Sequence, residues 1–193
     1  MLRLRVIYRS CLAILLGIGM ILTATLIKAS PQDGVVQYGD ITITQNSGSA
    51  IDTLITQQSQ KGIIDWRSFS IGSTEHTHFA QPNASAITLN RVTGGDVSSI
   101  LGQLTATGRI MLVNPSGIFF GPNARIDVSG LIATTANISN ANFLSENYTF
   151  TQGSVDARII NQGHIKIADN GMMYMVAPGV ENSGVIEARL GKV

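Results

Sequence analysis

Residues 108–130 restrict the fold more than any other part of the chain. They contain three short apolar or alternating runs, at 109–113, 118–120 and 125–128, and a fourth run begins at 131. The runs are separated by turn sequences, Asn114-Pro115-Ser116-Gly117, Gly121-Pro122-Asn123-Ala124 and Ser129-Gly130. Asn first, Pro second and Gly fourth is the order of a type I β-turn, because proline presets φ and asparagine bonds its own backbone. Strands joined by such tight corners predict one turn of a parallel β-helix.

A repeat downstream supports the same interpretation. Residues 161–165 and 182–186 share the pattern Asn-x-Gly-x-Ile at an offset of 21 residues, and Gly108 and Gly130 are 22 residues apart. Similar periods in separate parts of one chain are typical of stacked supersecondary units. The alternative is a β-sandwich with glycine-rich turns, which also predicts short alternating strands.

The composition indicates a single β-rich domain. Of the 193 residues, 44% are hydrophobic and only 13% are charged, and 20 are glycine. The charged fraction is about half of the usual value of roughly 25%, and the glycine favours turns over helices. Ile51, Leu54 and Ile55 have the spacing of one short helical turn, but no apolar pattern continues it.

The N-terminal segment is typical of an export signal. Arg3, Arg5 and Arg9 precede an uncharged apolar stretch from 11 to 27. This order predicts a secretory signal peptide over 1–29, cleaved after Ala29. An uncleaved anchor is the alternative, because about 17 apolar residues reach across a bilayer at the lower limit of length.

Removal of residues 1–29 changes the charge of the chain. Three arginines and Lys28 leave with the segment, so 9 basic and 12 acidic residues remain, and the formal net charge falls from +1 to −3. An acidic balance argues against nucleic acid as a partner, because phosphate binding needs a basic surface. The single cysteine, Cys11, also leaves, so the mature chain would be held together by its core without disulfides.

Several ordered motifs resemble a known family. They are the segments 62–72, 81–92 and 98–102, then Asn114-Pro115-Ser116-Gly117-Ile118 with Phe120-Gly121, and finally 130–135. Together they are similar to the filamentous haemagglutinin N-terminal domain, the secretion domain of two-partner secretion exoproteins. Ser116 stands where the family's motif has asparagine, and both residues suit the turn. A second family motif, Asn-Pro-Asn-Leu, is degenerate here as Gln81-Pro82-Asn83-Ala84.

The resemblance implies a fold and a partner. The fold would be a right-handed parallel β-helix with an N-terminal β cap, for which 35–43 and 63–71 are candidates. Residues 30–193 would be the secretion domain, recognised by the periplasmic domains of an outer-membrane β-barrel transporter. Asn114, Pro115, Ser116, Gly117 and Ile118 would form the recognition motif, and 81–84 a weaker second one. A structural role for Asn114 is an equal and compatible alternative, because corner asparagines in solenoids satisfy backbone groups of adjacent turns. The resemblance implies no cofactor.

The resemblance also implies a location and a wider protein. Export would run through the periplasm of a Gram-negative-type bacterium to the cell surface or the medium. Exoproteins of this family are mostly adhesins, haemolysins and contact-dependent toxins whose effector regions follow this domain. Contact with a host or a neighbouring cell would therefore use a C-terminal region. Because the sequence stops inside the repeat pattern, we expect a truncated or fragmentary member of the family.

Two other functions are alternatives, a β-helical surface enzyme acting on polysaccharide and a purely structural surface solenoid. Lyase chemistry on this fold would need stacked acids and bases, but Asp127 has Thr105 and Tyr148 at the repeat spacing. His164 is the only plausible base for a Ser-His-Asp site, and no motif surrounds it. The sequence therefore predicts no catalytic residue. A neighbouring transporter gene would favour the secretion module over both alternatives.

A metal site is also not expected. His76 and His78 in Glu75-His76-Thr77-His78 would share one face of a strand, as metal ligands sometimes do. Nothing in the sequence supplies a third ligand in register, so a solvated surface is the preferred interpretation.

Overall fold

The structure, a computed structural model, describes residues 30–46, 49–152 and 156–193. Within these residues it is almost entirely β-structure, with one short helix. The elements are β1 (Val35–Tyr38), β2 (Ile41–Gln45), β3 (Thr53–Gln57), β4 (Lys61–Trp66), β5 (His76–Ala80), β6 (Ile87–Val92), β7 (Ser98–Ile100), β8 (Gln103–Ala106), β9 (Arg109–Val113), β10 (Ile118–Phe120), β11 (Arg125–Val128), β12 (Gly130–Thr134), α1 (Asn140–Leu144), β13 (Arg158–Asn161), β14 (His164–Ile167), β15 (Met173–Val176), β16 (Gly179–Asn182) and β17 (Val185–Ala188).

The strands form three sheets that run along a parallel β-solenoid of about six turns. A six-stranded sheet has the order β1-β4-β6-β9-β12-β15, a four-stranded sheet β16-β13-β10-β7, and a seven-stranded sheet β17-β14-β11-β8-β5-β3-β2. A typical turn, such as β9-β10-β11, gives one strand to each sheet, and each strand pairs in parallel with its equivalents in the turns before and after. The predicted all-β parallel helix is confirmed, and the sandwich alternative is wrong.

The strands predicted from 108–130 are confirmed almost residue for residue. The apolar runs at 109–113, 118–120 and 125–128 are β9, β10 and β11, and the fourth run is β12. The register differs by one residue from the spacing of the two glycines. Gly130 lies opposite Arg109, while the backbone N–H of Ser129 donates to the carbonyl of Gly108 at 3.0 Å. The period between β9 and β12 is therefore 21 residues, the same as in the downstream repeat.

That downstream repeat corresponds to paired strands. Asn161 lies opposite Asn182, and Ile165 lies opposite Ile186. The Asn161 amide Nδ2 also donates to Asn182 Oδ1 at 2.8 Å, so equivalent side chains of adjacent turns bond to each other. The identical spacing in the sequence thus reflects identical places in two successive turns.

The core is a continuous apolar column inside the three sheets. It extends from Ile55 and Trp66 in the first turns to Met173 near the last. Strand β11 shows how the sequence fills it, because Ile126 and Val128 are buried while Arg125 and Asp127 alternate with them toward solvent. A fully buried aliphatic side chain contributes roughly 1.5–3 kcal/mol, so the column is the main source of stability.

An antiparallel cap precedes the first turn, as predicted. Strand β1 pairs antiparallel with β4, and β2 pairs antiparallel with β3. The cap comes from the 35–43 candidate and its continuation to Gln45. The second candidate, 63–71, is not part of the cap, because β4 pairs in parallel with β6 and so belongs to the first turn.

The helical spacing of Ile51, Leu54 and Ile55 does not correspond to a helix, in keeping with the absence of a continuing apolar pattern. Leu54 and Ile55 lie in β3, whose side chains alternate between buried and half-buried positions. Ile55 points into the core column and lies opposite Phe79 of β5. The β-branched Thr53, Ile55 and Thr56 fit a pleated surface better than a helix.

The connection between β12 and β13 leaves the solenoid and returns over it. This connection, residues 135–157, is named the excursion; its described parts are 135–152 and 156–157, and it contains α1. Ser139 caps α1 by accepting from the backbone N–H of Asn142 at 3.2 Å. The excursion covers the outer face of the six-stranded sheet and forms a second apolar cluster there, consisting of Ile63, Ile87, Leu89, Met111, Val113, Ile138 and Phe143.

Two cations of the early turns hold the excursion in place. The Arg91 guanidinium pairs with Asp65 at 2.9 Å and donates to the carbonyl of Ile138 at 2.7 Å and to Asn140 Oδ1 at 2.8 Å. Lys61 Nζ donates to the carbonyl of Leu144 at 2.6 Å. Arg91 Nε also donates to Asn137 Oδ1 at 3.2 Å. These bonds join the excursion to residues that lie 46 to 83 positions earlier in the chain.

The predicted signal peptide, 1–29, lies outside the described residues. Within the part of the chain that the structure describes, no helix is long and apolar enough to cross a membrane.

Candidate functional site

The motif at 114–118 forms the corner between the six-stranded and four-stranded sheets. It follows β9 and leads into β10. The backbone N–H of Gly117 donates to the carbonyl of Asn114 at 3.0 Å, which closes the predicted β-turn. Gly117 has φ +119°, and a Cβ there would lie 3.0 Å from the carbonyl oxygen of Arg158. The positive φ favours glycine at this position, and a side chain there would also press against that backbone carbonyl.

The side chain of Asn114 is fully buried and bonds in two directions. Its Oδ1 accepts from the backbone N–H of Ser116 at 2.9 Å, so it stabilises its own turn. Its Nδ2 donates to the carbonyl of Asp96 at 3.0 Å and to Ser98 Oγ at 2.9 Å in the previous turn of the solenoid. The backbone N–H of Asn114 donates to Thr134 in the next turn at 3.0 Å. Asn114 thus links three successive turns.

Burial limits what another protein could contact at this corner. Ile118 is 1% exposed and points into the core column, and Gly117 is also buried. Only Pro115 and Ser116 are half-buried. A partner that binds the folded corner would therefore meet the proline ring, the serine side chain and the adjoining backbone.

The second motif lies at a different corner. Residues 81–84 connect β5 of the seven-stranded sheet to β6 of the six-stranded sheet. Gln81 is buried, where its Oε1 accepts from the N–H of Gly108 at 2.8 Å and its Nε2 donates to Thr88 Oγ1 at 3.0 Å. Pro82 and Ala84 are exposed. The structure does not bring this motif to the same corner as 114–118.

Asn83 opens a β-turn over residues 83–86 in the same way as Asn114 opens its own, and the Ala86 N–H donates to the Asn83 carbonyl at 3.2 Å. Asn83 Oδ1 accepts from the backbone N–H of Ser85 at 3.0 Å and from that of Ala86 at 3.0 Å. The longer side chain of Gln81 reaches across to the next turn, so this degenerate motif still makes a closed corner. Both predicted motifs are therefore structural corners with small accessible tips.

The neighbours of Asp127 differ in part from the sequence expectation. Thr105 does lie opposite Asp127 on one side. On the other side the neighbour is Lys166 instead of Tyr148, because the excursion lengthens that turn. Lys166 Nζ lies 3.1 Å from Asp127 Oδ2 in an exposed ion pair. The third histidine, His164, lies 3.6 Å from Glu187 on the same sheet.

The two histidines of β5 do share a strand face. Thr77 and Phe79 between and beside them are buried, so His76 and His78 point outward, with ring centroids 6.1 Å apart. Among the described residues, no group of three or more His, Cys, Asp or Glu side chains is placed to hold a metal ion. The pKa of His78 is lowered below its usual value of 6.5, first by burial and second by the nearby charge of His76.

Three residues that hold these structures together were not predicted from the sequence. Asp96 and Ser98 receive the Asn114 amide, and Arg91 anchors the excursion. Asp96 and Ser98 lie 18 and 16 residues before Asn114. To identify them, one must know which residues of the previous turn lie beside Asn114, and the sequence of a single motif does not give that pairing.

Comparison with known proteins agrees with this geometry. A family model described as the TPS secretion domain matches residues 27–191. A heme/hemopexin-binding protein of Haemophilus influenzae is 38% identical over 133 residues, covering 69% of this chain and 14% of the relative. The protein of that name from strain Rd is 36% identical over 167 residues, covering 82% of this chain and 18% of the relative.

A solved structure matches as well. The crystal structure of the HMW1 secretion domain from Haemophilus influenzae superimposes with a TM-score of 0.76 at 33% identity, over 82% of this chain and 42% of that chain. With coverages of 14% and 18%, the chain spans less than a fifth of the length of the two heme/hemopexin-binding relatives.

Proposed function

The chain belongs to the TPS secretion domain family, and on this premise we propose that it is recognised by an outer-membrane β-barrel transporter. Membership makes it a module of a two-partner secretion exoprotein. The proposal adds that the transporter's periplasmic domains bind this module and that residues 1–29 are the signal peptide that brings it to the periplasm. The exported protein reaches the cell surface or the medium.

The observation that carries the proposal is the extent of the match. The family model covers 27–191, which includes every strand of the solenoid, its cap and the excursion. The secretion domain from HMW1 shares the fold at 33% identity. The resemblance therefore concerns a whole domain and not an isolated motif, and both the family and the HMW1 domain are secretion domains.

We assign no catalytic role to this module. On the outer face of the seven-stranded sheet, Lys166 pairs with Asp127 and His164 lies 3.6 Å from Glu187. Such exposed pairs are typical of a solvated surface. We propose no adhesion or other effector activity for this module, which matches only 14% and 18% of the heme/hemopexin-binding relatives.

Within the module, the tip of the 114–117 turn is the first candidate for contact with the transporter. Pro115 and Ser116 are its accessible residues, whereas Asn114 acts inside the fold. The exposed Pro82 and Ala84 form a second and separate candidate tip. Substitutions at these tips can alter binding with little effect on the core, which makes the proposal testable.

Export from a Gram-negative host that also expresses a two-partner secretion transporter tests the proposal. Pro115→Ala should lower export about tenfold, the equivalent of about 1.4 kcal/mol of lost binding. It should lower the free energy of unfolding by only about 0.4–1 kcal/mol, the usual effect of a turn proline. Pro122→Ala is the matched control, because Pro122 is an exposed turn proline at another corner.

The possible outcomes separate recognition from folding. If Pro115→Ala and Pro122→Ala reduce export equally and in proportion to their loss of stability, the 114–117 tip is a structural corner only. If the unchanged chain is exported equally well without the transporter, the proposed partner is wrong. Gly117 is unsuitable as a probe, because its positive φ makes any substitution destabilise the turn.

A further inference from the structure

The two histidines of β5 converge on one atom of the neighbouring strand. His76 Nε2 and His78 Nδ1 each lie 2.7 Å from Thr105 Oγ1 on β8. Both imidazoles are only partly buried and face outward from the seven-stranded sheet. The alternation of a β-strand places residues i and i+2 on one face, and the pairing of β5 with β8 puts the hydroxyl between them.

Hydrogen bonding orients the ring of His76. Its Nδ1 lies 3.2 Å from the carbonyl oxygen of Ala50, which can only accept, so Nδ1 carries the proton. The lone pair of Nε2 then points toward Thr105. A backbone carbonyl that fixes the tautomer of a histidine in this way is a common second partner of metal-binding imidazoles. The single hydroxyl proton of Thr105 goes to His76 Nε2, so His78 Nδ1–H donates to the hydroxyl oxygen.

We propose that His76 Nε2 and His78 Nδ1 bind a divalent copper ion beside Thr105. Two nitrogens that already lie within 2.7 Å of a common atom need only small side-chain movements to reach a shared ion at about 2.0 Å. On binding, the proton of His78 moves from Nδ1 to Nε2, where solvent accepts its hydrogen bond, and the Thr105 hydroxyl keeps its own proton. Oxygen from Thr105 or water completes the coordination.

The ligand set favours copper over zinc. Structural zinc sites use four protein ligands and catalytic sites three, and no group of three ligating side chains exists among the described residues. Copper(II) accepts a planar set of nitrogen and oxygen ligands and binds such sites more tightly than the other divalent first-row metals. The Asp52 carboxylate, which accepts from the backbone N–H of His76 at 3.0 Å, adds favourable negative charge nearby.

Titration of the tag-free full chain with copper(II) tests the site by calorimetry and electron paramagnetic resonance. We expect one ion per chain and hyperfine structure from two imidazole nitrogens. His76→Gln and His78→Gln should each weaken copper binding by at least about tenfold, because the loss of a residue that only hydrogen-bonds to a metal ligand already costs that much affinity. His164→Gln is the matched control, because it removes the third histidine of the chain from a different place on the same sheet. Zinc should bind at least about tenfold more weakly than copper.

The wild-type spectrum keeps the inference falsifiable even if a variant folds poorly. A spectrum with one coordinated imidazole or none would overturn it, as would unchanged copper affinity in His76→Gln and His78→Gln. Equal loss in His164→Gln would also overturn it, because the ion would then not be specific to β5. Thermal unfolding of each variant without metal distinguishes lost ligands from lost structure. The result is independent of export, so it leaves the proposed function unaffected.

Discussion

A single buried amide at position 114 serves both a turn and the stacking of turns. The turn itself follows from local chemistry, because Asn-Pro-x-Gly favours the conformation that the structure shows. The bonds from Nδ2 to Asp96 and Ser98 depend on the place of the previous turn, 16 to 18 residues earlier. The sequence predicts the first contribution and also that a corner asparagine can bond to an adjacent turn, but the partners Asp96 and Ser98 required the register of β6, β7 and β9.

Replacement of Asn114 should destabilise the fold. Asn114→Ala leaves the Asp96 carbonyl, the Ser98 hydroxyl and the Ser116 N–H without their buried partner, and such groups cost about 1–3 kcal/mol. Asn114→Asp should be no better, because a carboxylate cannot donate to Asp96 or Ser98. Urea unfolding measures the change. Asn123→Ala at an exposed turn is the control, and an equal loss there would contradict the assigned role.

His78 should make stability depend on pH. Its pKa in the folded chain is lowered, first by burial and second by His76, so the unfolded chain binds the proton more readily. Stability is therefore full above the usual pKa of 6.5 and falls as pH drops from there toward the lowered value. Unfolding in the presence of a chelator at pH 7.5, 6.5 and 5.5 should show this loss. His78→Gln should reduce it, and an identical pH profile in the variant would contradict the assignment.

The excursion is the element that sequence analysis did not predict. Helix α1 has only five residues, so no helical period is visible, although Ser139 is a suitable N-cap. Because the excursion lengthens this turn, Lys166 lies opposite Asp127 in place of Tyr148. A constant repeat spacing cannot reveal where a solenoid is interrupted. Ile138 and Phe143 belong to no apolar pattern in the sequence, so nothing there indicates that they cover the outer face of a sheet.

Removal of the Arg91 guanidinium should loosen the excursion before the solenoid. Arg91→Met loses the ion pair with Asp65 and the bonds to Ile138 and Asn140. Hydrogen bonds to charged groups contribute about 1.5–3 kcal/mol, so exchange of amides in 135–157 should accelerate about tenfold or more. Hydrogen–deuterium exchange by mass spectrometry measures this, with β9 and β12 protected as before.

Arg125→Met provides the comparison for the excursion. Arg125 lies exposed on β11, and its guanidinium donates at 3.1 Å to the carbonyl of the preceding residue, Ala124. The methionine there should leave exchange in 135–157 unchanged. If Arg91→Met instead accelerates exchange equally in all strands, the excursion is an inseparable part of the solenoid and not a separately anchored element.

At the scale of the whole molecule, the architecture was predictable because it repeats. Tight corners, alternating strands and a 21-residue period each indicate the same solenoid, and the paired strands β13-β16 and β14-β17 show that period directly. The cap was predictable in part, since 35–43 pairs antiparallel while 63–71 belongs to the first turn. The assignment of contact residues to either tip stays a prediction, because a recognition surface depends on its partner.

The continuous core column predicts cooperative unfolding. Repeat proteins contact only neighbouring units, so their turns can unfold separately when coupling is weak. Here the core residues form one cluster from Ile55 to Met173, which couples each turn to the next. Trp66, the single tryptophan, is fully buried in the first turn and reports locally by fluorescence, while circular dichroism reports on all strands. Leu112 is fully buried in β9, which is separated by β6 from β4, the strand that contains Trp66.

Leu112→Ala should therefore shift both signals together. A buried leucine truncated to alanine costs about 2–5 kcal/mol. If unfolding is cooperative, the urea midpoints from Trp66 fluorescence and from circular dichroism coincide in the wild-type chain and fall by the same amount in the variant. Val176→Ala is the control, because Val176 is 44% exposed and its truncation should change both midpoints little. A fluorescence midpoint that stays fixed while the dichroism midpoint falls would show that the first turn is stable on its own, and the column would then be a stack of weakly coupled units.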